Sequence, residues 1–268
     1  MRRAVRQLSS DTFEVVDLFD PSDVRVLTTK QIQQDISSGV QYYGVTKKGR
    51  ITVFSSISDM IEYDTMQRRL AGYPLLHYSS DVDDISVVGM EVKIGVWDLV
   101  FPSFVSAIEQ ICPAIGHKEG GMSIRSITIP DSVLELGNNV FYMLQDLEKV
   151  KLSNRLTEIP QMCFAWATSL KSVDLPDSVT HIDDHAFRNS GVEYLKLSNN
   201  LKAIGSFAFS NTSIRSLHIP DSVESLGNKC FVACRYLSDV SLPIHLKEQV
   251  QRGNVFNNCP DVTLHYRR

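Results

Sequence analysis

From residue 124 onward the apolar positions of this chain fall on a fixed grid. An apolar residue is followed by two variable positions, a second apolar residue, one variable position and a third apolar residue. Pro-Asp or Ser-Asn comes next, and two further apolar positions lead to a phenylalanine. The grid restarts at Ile124, Leu147, Leu170, Val192, Ile214 and Leu237, at intervals of 23, 23, 22, 22 and 23 residues. The second column reads Ile127, Val150, Val173, Leu195, Leu217 and Val240, and the third Ile129, Leu152, Leu175, Leu197, Ile219 and Leu242. The fourth runs Val133, Leu156, Val179, Leu201, Val223 and Leu246; the fifth runs Leu136, Ile159, Ile182, Ile204 and Leu226 and degrades in the last copy. The aromatic column is Phe at every copy: Phe141, Phe164, Phe187, Phe209, Phe231 and Phe256.

A unit this short cannot close a core alone. Stacked copies can, because each buries its apolar columns against the next, so the period predicts a solenoid of leucine-rich-repeat type. Alternation at the second and third columns predicts a short strand with both side chains on one side. Successive strands should pair in parallel, about 4.8 Å apart, with the phenylalanines stacked as a spine deeper in the coil. Pro130, Pro176, Pro220 and Pro243 end the strand where a missing N–H does least harm. Asp131, Asn154, Asp177, Asn199 and Asp221 follow, residue types that bond local backbone at turns. Gly137, Gly205 and Gly227 share one later column, which predicts a backbone position that favours glycine.

The variable strand positions alternate in charge. The position after the first column reads Arg125, Glu148, Lys171, Glu193, Arg215, and the one between the second and third reads Thr128, Lys151, Asp174, Lys196, His218. Opposite charges therefore face each other on neighbouring rungs, each pair contributing about 0.2–1 kcal/mol at most. Two readings fit: register support, or a charged face that meets a partner of mixed polarity. Tyr194 sits at an outward strand position and is the best single contact anchor, with Lys149, Lys151, Asp174, Lys196 and His218 as its neighbours. Trp97, Trp166, Tyr142 and Tyr236 are further aromatic candidates, with Trp166 expected half-buried on the turn after the spine.

The pattern L-x-x-[VIL]-x-[LI]-P-[DN]-x-[VL]-x-x-[IL]-G-x-x-x-F-x-x-C resembles the BspA-type, or Treponema-type, leucine-rich repeat. Its fullest copies run from Ile214 to Cys234 and, at the tail, from Phe256 to Cys259. The resemblance covers residues 122–266 and implies a curved solenoid with strands on one face. It is similar to proteins of bacteria, some protists and phages that bind host or matrix proteins, many of them surface adhesins. It implies no catalytic residues, no cofactor and no metal. One departure is the chain start: Met1-Arg-Arg-Ala-Val-Arg is followed by polar Gln7-Leu-Ser-Ser-Asp-Thr, without the apolar stretch of an export signal. The expected location is cytoplasmic, with the cell surface or a virion, reached by a route not visible in the sequence, as the alternative.

Residues 1–120 lack the repeat and read as a small α+β region that serves as a domain and as the N-terminal cap a solenoid needs. A strand is expected over 13–19, a helix from Thr28 or Thr29 to Ser38, and a hairpin of 40–45 with 50–54 around Lys47-Lys48-Gly49. A second helix is expected from Ser58 to Ala71, strands at 85–88 and 91–96, and a short helix over 104–111. His117 to Gly121 is the expected linker, so the division is 1–120 and 121–268.

Composition removes function classes more than it adds them. A net charge of −4 gives no general basic field for nucleic acid, and no apolar run reaches transmembrane length. Cys163, Cys230, Cys234 and Cys259 fall in core columns of the repeat, which accounts for the Cys230-x-x-x-Cys234 spacing without a disulfide or metal. His181-Ile-Asp-Asp-His185 has zinc-like spacing, but Ile182 and Phe187 hold it in the repeat register. Asp81-Val-Asp-Asp84 lacks the glycine and distal glutamate of a calcium loop, and Gly44 to Gly49 lacks phosphate-loop spacing. The expectation is a non-catalytic module that binds a protein partner through the strand-bearing face. The alternatives are a self-associating structural component, then an enzyme with its chemistry in residues 1–120. Neither the partner nor the oligomeric state is set by the sequence.

Overall fold

The computed structural model describes residues 2–7, 12–17, 24–28, 30–31, 41–43, 57–71, 73–80, 85–90, 95–102, 105–109, 111 and 122–268. The chain divides into two compact units, Met1–Asp64 and Thr65–Arg268. In the first, Arg2–Gln7 pairs antiparallel with Thr12–Asp17, which pairs antiparallel with Val24–Thr28. Gln41–Tyr43 adds to the other edge of Arg2–Gln7 in parallel. The strand expected over 13–19 is Thr12–Asp17, and the one expected over 40–45 is Gln41–Tyr43. Its expected hairpin mate at 50–54, the Lys47–Gly49 turn and most of the helix expected to reach Ser38 lie outside the described residues. The second expected helix is Ile57–Ala71.

The second unit is the solenoid. One ladder of strands comprises Gly95–Val100, Met122–Thr128, Lys149–Lys151, Ser172–Asp174, Tyr194–Lys196, Ser216–His218, Asp239–Pro243 and Thr263–Arg267, hydrogen-bonded in three groups that divide after Lys151 and after Lys196. A second ladder, at the fifth apolar column, comprises Ala107–Ile108, Glu135–Leu136, Glu158–Ile159, His181–Ile182, Ala203–Ile204 and Ser225–Leu226, hydrogen-bonded in two groups that divide after Leu136. The inter-rung pairings within both are parallel.

The division expected near residue 120 falls inside this unit. Gly95–Val100 is already a solenoid strand, pairing in parallel with Met122–Thr128 so that Leu99 lies opposite Ile127. The short helix expected over 104–111 is instead the strand Ala107–Ile108, opposite Glu135–Leu136. The reason lies in the turn before it. The Val105 N–H donates to the Pro102 carbonyl at 3.2 Å, as the Val133 N–H does to that of Pro130 at 3.0 Å. Phe101 and Val105 thus occupy the places of Ile129 and Val133, and stacking overrides local helix preference. Ile85–Met90 pairs in parallel with Ala107–Ile108 and antiparallel with Leu76–Ser80, so a hairpin closes this ladder at its N-terminal end. In the last turns of the helix, the buried Arg68 donates from Nη2 to the Val100 carbonyl at 2.8 Å.

The six phenylalanines form one continuous stack. Ring centroids are 5.3 Å apart from Phe141 to Phe164 and from Phe164 to Phe187. They are 5.1 Å apart from Phe187 to Phe209 and from Phe209 to Phe231, and 5.6 Å on to Phe256. Phe101 extends the column, tilted at 53° and 6.4 Å from Phe141. Around each spine residue the backbone bonds to the next rung. On the Phe164 rung, the N–H groups of Met162, Phe164 and Trp166 donate to the carbonyls of Asp184, Ala186 and Arg188. Directing alternate N–H groups the same way places the residues two before and two after each phenylalanine in the left-handed region. Their φ values run from 51° at Asn254 to 65° at Trp166.

Asn tolerates that backbone best among residues with a side chain, and it appears at 139, 189, 211, 254 and 258. Ala233, at φ 59°, has neither the side-chain carbonyl of Asn nor the freedom of Gly. Relief of about 1–2 kcal/mol of backbone strain should exceed the entropy cost of about 0.5–1 kcal/mol for glycine. Ala233→Gly is therefore expected to raise the urea midpoint slightly, and a lower midpoint would contradict this account of the turn.

Candidate partner-binding face

The first ladder sets the geometry of the face. On each three-residue strand the central side chain points into the core and the outer two point to solvent, so parallel register produces two outward columns. Ser172 lies opposite Tyr194 and Asp174 opposite Lys196. Lys149 lies opposite Ser126 and Lys151 opposite Thr128. Ser216 lies opposite Asp239 and His218 opposite Ser241. Lys149, Lys151, Asp174, Tyr194, Lys196 and His218 are thereby brought onto one face, all exposed. Tyr194 is 64% exposed, so its ring is not packed on adjacent rungs. Trp166 and Tyr142 belong to the spine turn instead, and Tyr236 stands with the Arg215 guanidinium 6.0 Å from its ring centre.

The two charge columns behave differently. Glu193 bridges Lys171 at 3.0 Å and Arg215 at 3.3 Å, as the alternation predicts. Arg125 reaches back to Asp98 at 2.9 Å, a partner hidden from the repeat pattern because its rung departs from the period. Among the described residues no ion pair joins Asp174 to Lys151 or Lys196.

His218 is more constrained. Its Nδ1 accepts from Arg267 Nη1 at 2.8 Å, and the same guanidinium donates to Ser241 Oγ at 2.6 Å, the Ile219 carbonyl at 2.6 Å and Asp221 at 2.8 Å. Arg267 thus clamps the last strand across three rungs. Nothing periodic marks it in the sequence. His265 and Asp239 pair beside it at 3.1 Å.

The remaining sequence candidates are dispersed. His181 Nδ1 is 2.8 Å from Thr180 Oγ1 on the second ladder, whereas the His185 ring stacks on Phe207 at 5.2 Å in the spine turn. Among the described residues no group of three His, Cys, Asp or Glu side chains is placed to hold a metal ion. Cys163, Cys230, Cys234 and Cys259 are buried and free, and burial pushes the Cys163 and Cys230 thiols up. Cys112, Asp81–Asp84 and Gly44–Gly49 lie outside the described residues. Among the described residues no helix is long and apolar enough to cross a membrane.

Carboxylates along the coil are held below their usual range. The Asn154 backbone N–H does this to Asp131, and that of Asn199 to Asp177. Lys171, then Arg215, lowers Glu193, and Arg267 lowers Asp221. Asp183 goes the other way, raised by burial and by Asp184. A carboxyl with a depressed folded pKa contributes stability above its unfolded value of about 4, lost as pH falls through the folded value. A raised one has the opposite sign, and here it is outnumbered. The urea midpoint should therefore be flat from about pH 7 to 5 and fall below about pH 4. A midpoint that rises on acidification would contradict the assignment.

A family model described as the BspA type leucine-rich repeat region matches in six copies over residues 119–238 and 157–265. No curated protein matches the chain. Among solved structures, a leucine-rich repeat protein from Bacteroides ovatus is 19% identical, with 72% of this chain and 70% of that one covered and a TM-score of 0.47. The leucine-rich repeat protein of T. pallidum is 18% identical, with 71% and 78% covered and a TM-score of 0.43. A leucine rich cell surface protein from Faecalibacterium prausnitzii is 23% identical, with 72% of this chain but 38% of that one covered and a TM-score of 0.39. The repeat match spans more than half of the chain and coincides with the rungs from Met122 onward, and the protein belongs to the BspA-type leucine-rich repeat family.

Proposed function

We propose that this protein is a non-catalytic binding module that recognises a protein partner through the strand-bearing face of its solenoid. The observation that carries the reading is Tyr194. It is an aromatic side chain 64% exposed, opposite Ser172, with Lys196 two residues on along its own strand and Asp174 opposite Lys196. A stacked coil fixes the backbone that carries such a side chain before binding, which lowers the ordering cost of association. Aromatic anchors ringed by polar groups dominate protein interfaces. The mixed charge of the columns fits a partner surface that is itself mixed, and it disfavours polyanions.

The double variant Tyr194→Ala, Lys196→Glu tests this in the full chain. Both residues are exposed, so the variant should fold, with a melting temperature lowered by no more than about 4 °C because the new carboxylate lies opposite Asp174. Partner retained from native lysate should fall by about 30-fold or more if Tyr194 is a hot spot. Equal retention by a folded double variant would exclude this face.

A further inference from the structure

A second surface lies on the spine turn, away from the strand-bearing face. The left-handed positions that flank the spine hold Asn in five places, yet Met143, Met162, Trp166 and Phe207 occupy four others. These large apolar side chains have no local means of easing that backbone. Burial accounts for them only in part. Trp166 is 40% exposed, and Met143, Met162 and Phe207 are half-buried, while the core behind them is filled by the phenylalanine stack. Strained apolar residues left partly in solvent point to a function.

The four fall on three of four successive rungs, with His185 on the rung between Trp166 and Phe207. The Met143 N–H donates to the Ala165 carbonyl at 2.9 Å, next to Trp166. Met162 and Trp166 flank Phe164 on one rung, and Tyr142, itself exposed, adjoins Met143. The strip ends at Phe207. Its ring carries His185 stacked on it, with the Arg188 guanidinium at 5.9 Å and the Lys229 ammonium at 5.8 Å. Among the described residues neither cation has an ion-pair partner. The neighbouring Asp184 instead accepts the Ser206 N–H.

We propose that this strip docks an amphipathic acidic segment of a protein partner. Apolar side chains of the segment lie over Trp166 and the two methionines, and its carboxylates meet Arg188 and Lys229. Methionine adapts to irregular apolar surfaces, tryptophan supplies the anchor, and the unpaired cations set the sign of the partner. The site is separate from the Tyr194 face and does not rest on it.

The test is selection from a displayed random peptide library on the full chain, followed by affinity measurements on variants. In the first variant, Met143→Asn, Met162→Asn and Trp166→Asn, each residue becomes the one that other rungs carry in the flanking columns, so melting at or above the parent temperature is expected. In the second, Arg188→Glu and Lys229→Glu reverse the cations. Selected peptides should combine Phe, Leu or Trp with Asp or Glu. They should bind either variant at least about tenfold more weakly, and Tyr194→Ala, Lys196→Glu should leave their binding unchanged. Should the triple variant fail to fold, Trp166→Asn alone with the charge reversal carries the same expectation. The proposal is overturned if no peptide is enriched, if the enriched peptides are basic, or if they bind the folded variants as tightly as the parent. Sedimentation showing a dimer of the full chain that the triple variant abolishes would assign the strip to a second copy and overturn it as well.

Discussion

Phe187→Ala is expected to lower the unfolding free energy by about 3–5 kcal/mol, the range for removing a large aromatic side chain from a core. Phe187 is fully buried in the middle of the spine, 5.3 Å from Phe164 at an interplanar angle of 14° and 5.1 Å from Phe209 at 4°. The hole left behind has little means to close. Both neighbouring rings ride on backbones bonded rung to rung, the Phe164 N–H to Ala186 and the Phe187 N–H to Ala208 at 2.7 Å each. The effect should also depend on place. Phe256 has one stacking neighbour, at 5.6 Å, and is 8% exposed, so Phe256→Ala should cost roughly half as much. Urea unfolding of the two variants checks both the size and the order. Equal losses would mean that the rungs do not unfold as a coupled stack.

The spine is legible in the sequence because the same physical demand recurs at every copy and admits one residue type. The apolar columns are legible for the same reason, and so is the Lys171–Glu193–Arg215 run, whose alternation becomes two ion pairs in the folded coil. The rung at Gly95–Val100 is not. Its pairs Leu99–Ile127 and Ile108–Leu136 both lie 28 residues apart, 127 − 99 and 136 − 108, outside the period of the other copies. Its register also shifts between Trp97 and Asp98, which removes one residue from the L-x-x-L spacing. Terminal repeats depart from the consensus because they meet a cap on one side. Arg267 is illegible for another reason, since its partners lie between 26 and 49 residues away and share no period. The left-handed positions beside the spine leave only a partial residue signature, Asn at five of the twelve. Their conformation is set by where the N–H groups must point, and the side chains there range from Asn to Trp. On the candidate face, the repeat register alone places all six residues on one surface. It carries no sign that Arg267 already holds His218.

The glycines shared by one column look like a backbone preference, but their physical cause is crowding between rungs. None of Gly137, Gly205 and Gly227 has the positive φ that only glycine adopts freely. A Cβ on Gly227 would instead lie 2.5 Å from the Gly205 carbonyl carbon and collide with the Ser206 nitrogen, and one on Gly205 would lie 2.5 Å from the Asp184 nitrogen. Those are backbone atoms of the preceding rung, which no rotamer change can move. The same column holds Pro160 and Asp183, so a side chain is not excluded by the repeat itself. The approach is closer at the glycines: the Gly205 and Gly227 N–H groups reach the carbonyls of Ile182 and Ile204 at 2.7 Å, against 2.9 Å from Asp183 to Ile159. Gly227→Ala must therefore lengthen that bond and push apart the rungs whose rings stack at 5.1 Å. A loss of about 2–3 kcal/mol in urea unfolding is expected, near the upper end for overpacking. A loss under about 1 kcal/mol would show that the coil can open there to the spacing it already has at Asp183, and that glycine in this column reflects tight stacking without enforcing it.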